Sequence, residues 1–358
     1  MSKSSLNLLA TVLFPILSCI CGAAILSCAD GGLPGTGGLD PESNGAIAGL
    51  ASSVAGHELA TQAVLRAIPA ARVAAARKNL SVAYQHTSHG THVAYGLFGL
   101  PGFKTGDGVS FGITDNASTR DPDKLDFHDY AIAPSEYCDL STSDNGGWAS
   151  WLTRNRSYLD DPANASINVV MWSWCSIGGH DVPGYLGSMQ TLIDEYGPGG
   201  GKIGSGTGKT RTTPVTFVFM TGHAETGSNV GAGRPKDQAK LITDYCAARG
   251  YWCLDYYSID SHDMDGNYYE DASDDSDSAT YAVSYNASHG TSFPSRKFYA
   301  DWQDARAKGV DWYENRSSPG GSAEVGAHNS QHLTANRKAY AMWYLMSRIA
   351  GWDGKSAD

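Results

Sequence analysis

Charge is scarce in this 358-residue chain. Only 18% of residues are Asp, Glu, Lys or Arg, and the 26 basic side chains are outnumbered by 37 acidic ones. A formal charge of −11 opposes binding to phosphate backbones or to an anionic lipid surface, so nucleic acid is not an expected partner. No Cys-x-x-Cys pair occurs, which leaves a structural zinc knuckle without ligands. No His-Glu-x-x-His helix motif occurs either. What is plentiful is glycine, with 42 residues, alongside 41% hydrophobic and 10% aromatic content. That combination excludes a disordered or collagen-like chain and describes a loop-rich globular protein.

Beyond residue 26 there is no long apolar run. The one that exists, Leu6 to Leu26, follows Lys3 and ends in Ile25-Leu26-Ser27-Cys28. A short basic lead, an apolar stretch and a terminal Cys resemble a secretory signal with a bacterial lipobox. Residues 1–28 are therefore expected to be an export segment, residues 29–45 a Gly-rich tether and residues 46–358 a single folded body. On this expectation the protein is an envelope lipoprotein or is secreted, and meets a membrane only through a lipid anchor. Four cysteines remain for the exported body. In an oxidising compartment they are expected to pair as Cys246–Cys253 and Cys138–Cys175.

The body alternates helical and extended stretches. Strands are expected at 80–84, 167–174, 215–220 and 251–256, as near-continuous apolar runs; helices are expected at 58–78, 184–196, 235–249 and 334–350, the last with Thr334 as N-cap and Gly351 as the stop. Such alternation predicts a three-layer α/β/α fold with a parallel, flavodoxin-like sheet. Segments 102–165 and 258–330 read as long loop insertions. Polar residues crowd after three of the strands: Gln85-His86-Thr87-Ser88-His89-Gly90, Cys175-Ser176-Ile177-Gly178-Gly179-His180 and Thr221-Gly222-His223-Ala224-Glu225. In open α/β sheets that edge holds the ligand.

Within these clusters, Ser88 stands where a nucleophile needs to stand, after a buried strand and before Gly90. A base is available in Ala327-His328-Asn329-Ser330-Gln331-His332, ahead of the last helix. The order of these blocks resembles the SGNH/GDSL hydrolase superfamily, across residues 80 to 350. The resemblance implies an esterase or deacylase with Ser88 as nucleophile, His332 as base and Gly178 as an oxyanion-hole donor. No cofactor is implied, and the substrate would be a small-molecule or carbohydrate ester. His223 is the candidate for the remaining oxyanion donor, and Asn329 stands where the family's orienting Asp would be. His86-Thr87-Ser88 replaces the family's Gly-Asp-Ser.

Two other chemistries are written into the chain. His86, His89 and His92, with His180, His223, His332 and Glu225, suggest a metal-dependent enzyme. Asp263, Asp265 and Asn267, alternating around Gly266, suggest a structural calcium loop. Aromatic residues of the insertions, among them Trp148, Trp151, Tyr268, Tyr269, Trp302 and Trp312, suggest a non-catalytic surface that binds glycan. Gly208-Lys209-Thr210 ends like a P-loop, but Ile203 stands at the position of its first Gly and Pro214 follows in place of a helix, so nucleotide binding is excluded.

Overall fold

A computed structural model describes residues 51–132, 138–142, 148–225, 229–273 and 298–355. Residues 1–28 and 29–45, expected to be an export segment and a tether, fall outside the described residues, as does the acidic run Asp274-Asp275-Ser276-Asp277. Six parallel strands form one sheet: β1 (Val54–Ala55), β2 (Ser81–Gln85), β3 (Asp126–Asp129), β4 (Val169–Trp172), β5 (Thr216–Met220) and β6 (Trp252–Leu254). Their spatial order is β1-β6-β5-β4-β2-β3. From β3 to β6, this is the doubly wound order with one short strand added at the far edge. Val82 pairs with both Phe127 and Val169, so β2 is central, and the chain reverses direction across the sheet between β2 and β4.

Helices cover both faces. On one lie α1 (Gln62–Ala67), α2 (Ala70–Asn79) and α3 (Thr91–Gly99), all packed against the last helix, α9 (Leu333–Ile349). The other carries α4 (Trp148–Asp160), α5 (Val182–Tyr196) and α6 (Pro235–Arg249), which pack in series. Shorter helices α7 (Tyr256–Ser261) and α8 (Phe298–Asp304) lie beyond β6. The three-layer α/β/α architecture is as the alternation of elements predicts.

Local chemistry sets the boundaries. α5 starts where Asp181 accepts the Gly184 N–H and Pro183 takes a position that needs no donor. α6 likewise has Pro235 at its start and stops at Gly250, whose φ of 67° is left-handed. The start of α9 differs from expectation. His332, not Thr334, is its N-cap residue; the Thr334 hydroxyl is directed at buried Asp260, and Gln331 Oε1 accepts the Thr334 N–H.

Two strands were not foreseen. β3 reads Asp126-Phe127-His128-Asp129, with polar side chains at three of four positions, because it is an edge strand and needs no continuous apolar run. β1 has only two residues, too few for any periodicity. It also stands apart from its partner β6 by nearly two hundred residues.

The expected disulfides are not formed: Cys138, Cys175, Cys246 and Cys253 are not in disulfide bonds. Cys246 and Cys253 are both fully buried side by side; burial first, then the Cys246 neighbour, pushes the Cys253 thiol well up and keeps it protonated. Cys175 points elsewhere, with Sγ 4.0 Å from His89 Nδ1.

Near the β1 edge, His57 and His262 stack face to face with centroids 3.6 Å apart. Burial, with Arg337 close by, lowers His57 to about 4; burial and then His57 itself lower His262 to about 4. The unfolded chain therefore binds two more protons than the native one between pH 4 and 6.5, and stability falls as pH falls through that window. Asp255, raised to about 6 chiefly by burial, opposes this with one proton of the other sign. Both rings are partly hydrated, which reduces the net loss to about 1–2 kcal/mol. Calorimetry at pH 7 and pH 4.5 measures it. A melting temperature that does not fall, or that falls equally in a His57→Gln variant, contradicts the assignment.

Candidate functional site

The site lies where the strand order reverses, at the C-terminal ends of β2 and β4, the position at which doubly wound sheets bind their ligands. β2 delivers Gln85 and His86, Thr87 continues in extended conformation, and Ser88 then turns sharply with φ of 44°. The turn closes by Gly90 N–H to Thr87 O at 2.9 Å. Only glycine fits at position 90, because a Cβ there would lie 2.3 Å from His86 Cβ and 2.5 Å from Ser173 Oγ. Tyr84 hydroxyl donates to Gly90 O and Tyr256 hydroxyl to His89 O, so the turn is tied down from two sides.

Four non-glycine residues have left-handed φ among those described: Ser88, Asn116, Tyr130 and His328. All four gather around this edge. Asn116 Nδ2 donates to Asp129 O, Tyr130 follows Asp129 and packs 4.1 Å from His86, and His328 packs 4.6 Å from His89. Each such backbone costs about 1–3 kcal/mol, and clusters of them mark sites where geometry outranks stability.

Ser88 is partly exposed, and among the described residues its hydroxyl has no hydrogen-bond partner. The next residue, His89, is the centre of a stack. His223, from the end of β5, lies 3.7 Å above one face with planes 12° apart. His328, from the loop before α9, lies on a ring face too, at 4.6 Å and 18°. That loop is held against the serine turn: Thr91 Oγ1 donates to Ser88 O and accepts the Ala327 N–H, while His92 Nε2 meets Ala327 O at 2.7 Å. Gly326 permits the approach, since a Cβ on it would lie 2.8 Å from His92.

Below the stack is a buried ionic network. Lys338 and Asp260 pair at 2.8 Å with both side chains fully buried. Lys338 Nζ also lies 3.1 Å from His92 Nδ1 and over the Tyr256 ring at 3.6 Å. Tyr256 hydroxyl reaches the same His92 nitrogen at 2.7 Å. Beside the serine turn, buried His86 holds Asp129 at 2.7 Å, and Thr87 donates to buried Asp139.

Several expected site residues are placed otherwise. His332 turns its ring to Trp312, at 5.7 Å, and its Nδ1 accepts the Asn315 N–H. Burial lowers its pKa, against the pull of Glu314. Asn329 does not orient His332; its amide donates to Val325 O and its oxygen accepts the Gln331 N–H. Gly178 N–H is already engaged by Glu225 Oε1 at 2.9 Å, with Ile177 N–H and Ser176 hydroxyl on the same oxygen. His223 directs Nδ1 at Ala224 O, so a neutral ring presents an acceptor, not a donor, at its other nitrogen.

His86 meets Asp129, His92 meets Ala327 O, and His89 stacks on His223 with the His92 ring edge-on at 6.0 Å. Among the described residues no group of three or more His, Cys, Asp or Glu is arranged to hold a metal. In the proposed calcium loop, the Asp263 oxygens accept from the N–H groups of Asp265 and Asn267 and from the Tyr269 hydroxyl, so they serve the turn. Burial works against the Asp263 charge, but these bonds outweigh it and hold its pKa low. Of the aromatics, Trp151 and Tyr269 are core, while Tyr268 is partly exposed beneath Lys236.

His328 stands in the same block from which the resemblance selects His332. Its signal was Gly326, two positions earlier, in a loop that must cross α3 closely. No family model, no curated protein and no solved structure matches this chain.

Proposed function

We propose that the protein is an ester hydrolase or deacylase with Ser88 as nucleophile, acting on small-molecule or carbohydrate esters. The observation that carries this reading is Ser88 itself: a strained, partly exposed serine at the strand reversal, its hydroxyl without a partner, beside a group of imidazoles. A serine needs a neighbouring base to become nucleophilic, and a neutral imidazole is the side chain best suited near pH 7. Attack forms a bond from Ser88 Oγ to the acyl carbon, the alcohol leaves with the transferred proton, and water then releases the acid. Gly178 becomes an oxyanion donor only if Glu225 yields its N–H. Export through residues 1–28, with anchoring at Cys28, belongs to the same proposal and would place the activity outside the cell.

The test is covalent. A fluorophosphonate probe is expected to add to one serine per chain, and peptide mass spectrometry to locate it at Ser88. Absence of labelling together with no turnover on acetyl and butyryl esters would reject the hydrolase reading in favour of a binding protein.

A further inference from the structure

We infer that His328, not His332, is the base that serves Ser88, and that the stacked rings of His89 and His223 take the place of an orienting carboxylate. The inference rests on the hydrolase reading and deepens it. In serine hydrolases of the triad type a carboxylate holds the imidazole and stabilises the imidazolium. Neither histidine of the 326–332 segment has a carboxylate hydrogen-bonded to its ring among the described residues; Glu314 acts on His332 only as a nearby charge. His332 has an N–H from Asn315 at Nδ1, so that nitrogen is an acceptor and the ring is fixed against Trp312. The ring nitrogens of His328 have no hydrogen bond there, and it lies on the residue that follows Ser88.

Position is therefore supplied by stacking. His223 supports His89, His89 supports His328, and the Ala327 N–H and carbonyl anchor the loop on Thr91 and His92. The backbone of His328 is left-handed, with φ of 56°, and its ring stacks on His89, the residue next to Ser88. During attack the Ser88 proton passes to a His328 nitrogen and the carbonyl electron pair moves to oxygen. On collapse that proton passes to the departing alkoxide and the C–O bond breaks. Between these steps His328 is a cation lying on the aromatic face of His89, the arrangement that stabilises cations over π systems. His89 is then a positioning residue, and what it must offer is a flat aromatic face, not a titratable nitrogen.

That requirement makes a test by variants. With Ser88→Ala inactive, His328→Gln is expected to lose about 10²–10⁴-fold in kcat, the usual worth of a general base. His332→Gln is expected to stay within about threefold. His89→Phe, which keeps a flat ring, should retain activity within about tenfold, whereas His89→Ala should fall about a hundredfold. Circular dichroism confirms folding of each; if His89→Ala does not fold, His89→Phe and the contrast between 328 and 332 decide. Full activity in His328→Gln, or inactivity confined to His332→Gln, overturns the inference while leaving Ser88 in place. Loss in His89→Phe equal to that in His328→Gln overturns the role of the stack. Activity surviving in Ser88→Ala instead removes the hydrolase reading itself.

Discussion

Ser88→Ala should abolish ester turnover, by at least about a thousandfold in kcat, while leaving the melting temperature within a degree or two. Loss of a covalent nucleophile costs that much or more because the remaining binding and electrostatics give only residual catalysis. Stability is spared because the hydroxyl has no hydrogen-bond partner among the described residues and alanine keeps the same left-handed backbone. Ser88→Gly separates the two effects. It should be equally inactive yet more stable by about 1 kcal/mol, because glycine relieves the strain at φ of 44°. Ester assays and calorimetry on the two variants are sufficient. An alanine variant with wild-type turnover removes Ser88 from the chemistry, and a glycine variant no more stable than alanine removes the strain argument.

The second large effect concerns stability. Asp260→Ala removes the carboxylate that pairs at 2.8 Å with the fully buried Lys338 ammonium. Breaking a buried pair from one side costs about 3–5 kcal/mol, a large share of a stability of about 5–15 kcal/mol. For a chain of this size that lowers the melting temperature by about 10 °C. Replacing both partners, as in Asp260→Leu with Lys338→Met, should recover most of the loss, because the penalty lies in the orphaned charge. A single variant as stable as wild type contradicts the network. The double variant also reports on the site, since Lys338 meets His92 and His92 anchors the 327 loop.

The sheet was legible wherever burial on both faces forces an unbroken apolar run. Val169–Trp172 and Thr216–Met220 lie inside the expected strands, and Ser81–Gln85 is displaced by one residue. Tyr256 was expected to end a strand but instead begins α7, because Asp255 caps the turn by accepting the Ser258 N–H. Edge strands escaped notice because their pattern is polar or too short. The convergence of the Ser88, Cys175 and His223 segments followed from topology alone. Which imidazole meets which could not follow, because three histidines spaced by three on a turn leave their ring directions open. His332 attracted the base assignment through its place before a helix; only the packing of Trp312 and Asn315 shows that its ring is already occupied.

The last helix has a consequence for synthesis. Tyr344 and Arg348 donate to Ser52 O, while Arg337 reaches the carbonyls of His57 and Ala60. The earliest described residues are thus secured by some of the latest, and β1 gains its strand partner only when β6 has been made. A nascent chain on the ribosome cannot complete this body, because contacts so distant in sequence close only once the far end has emerged. Premature termination ahead of Leu333 should yield a chain with α1 to α3 uncovered, open to proteases and chaperones.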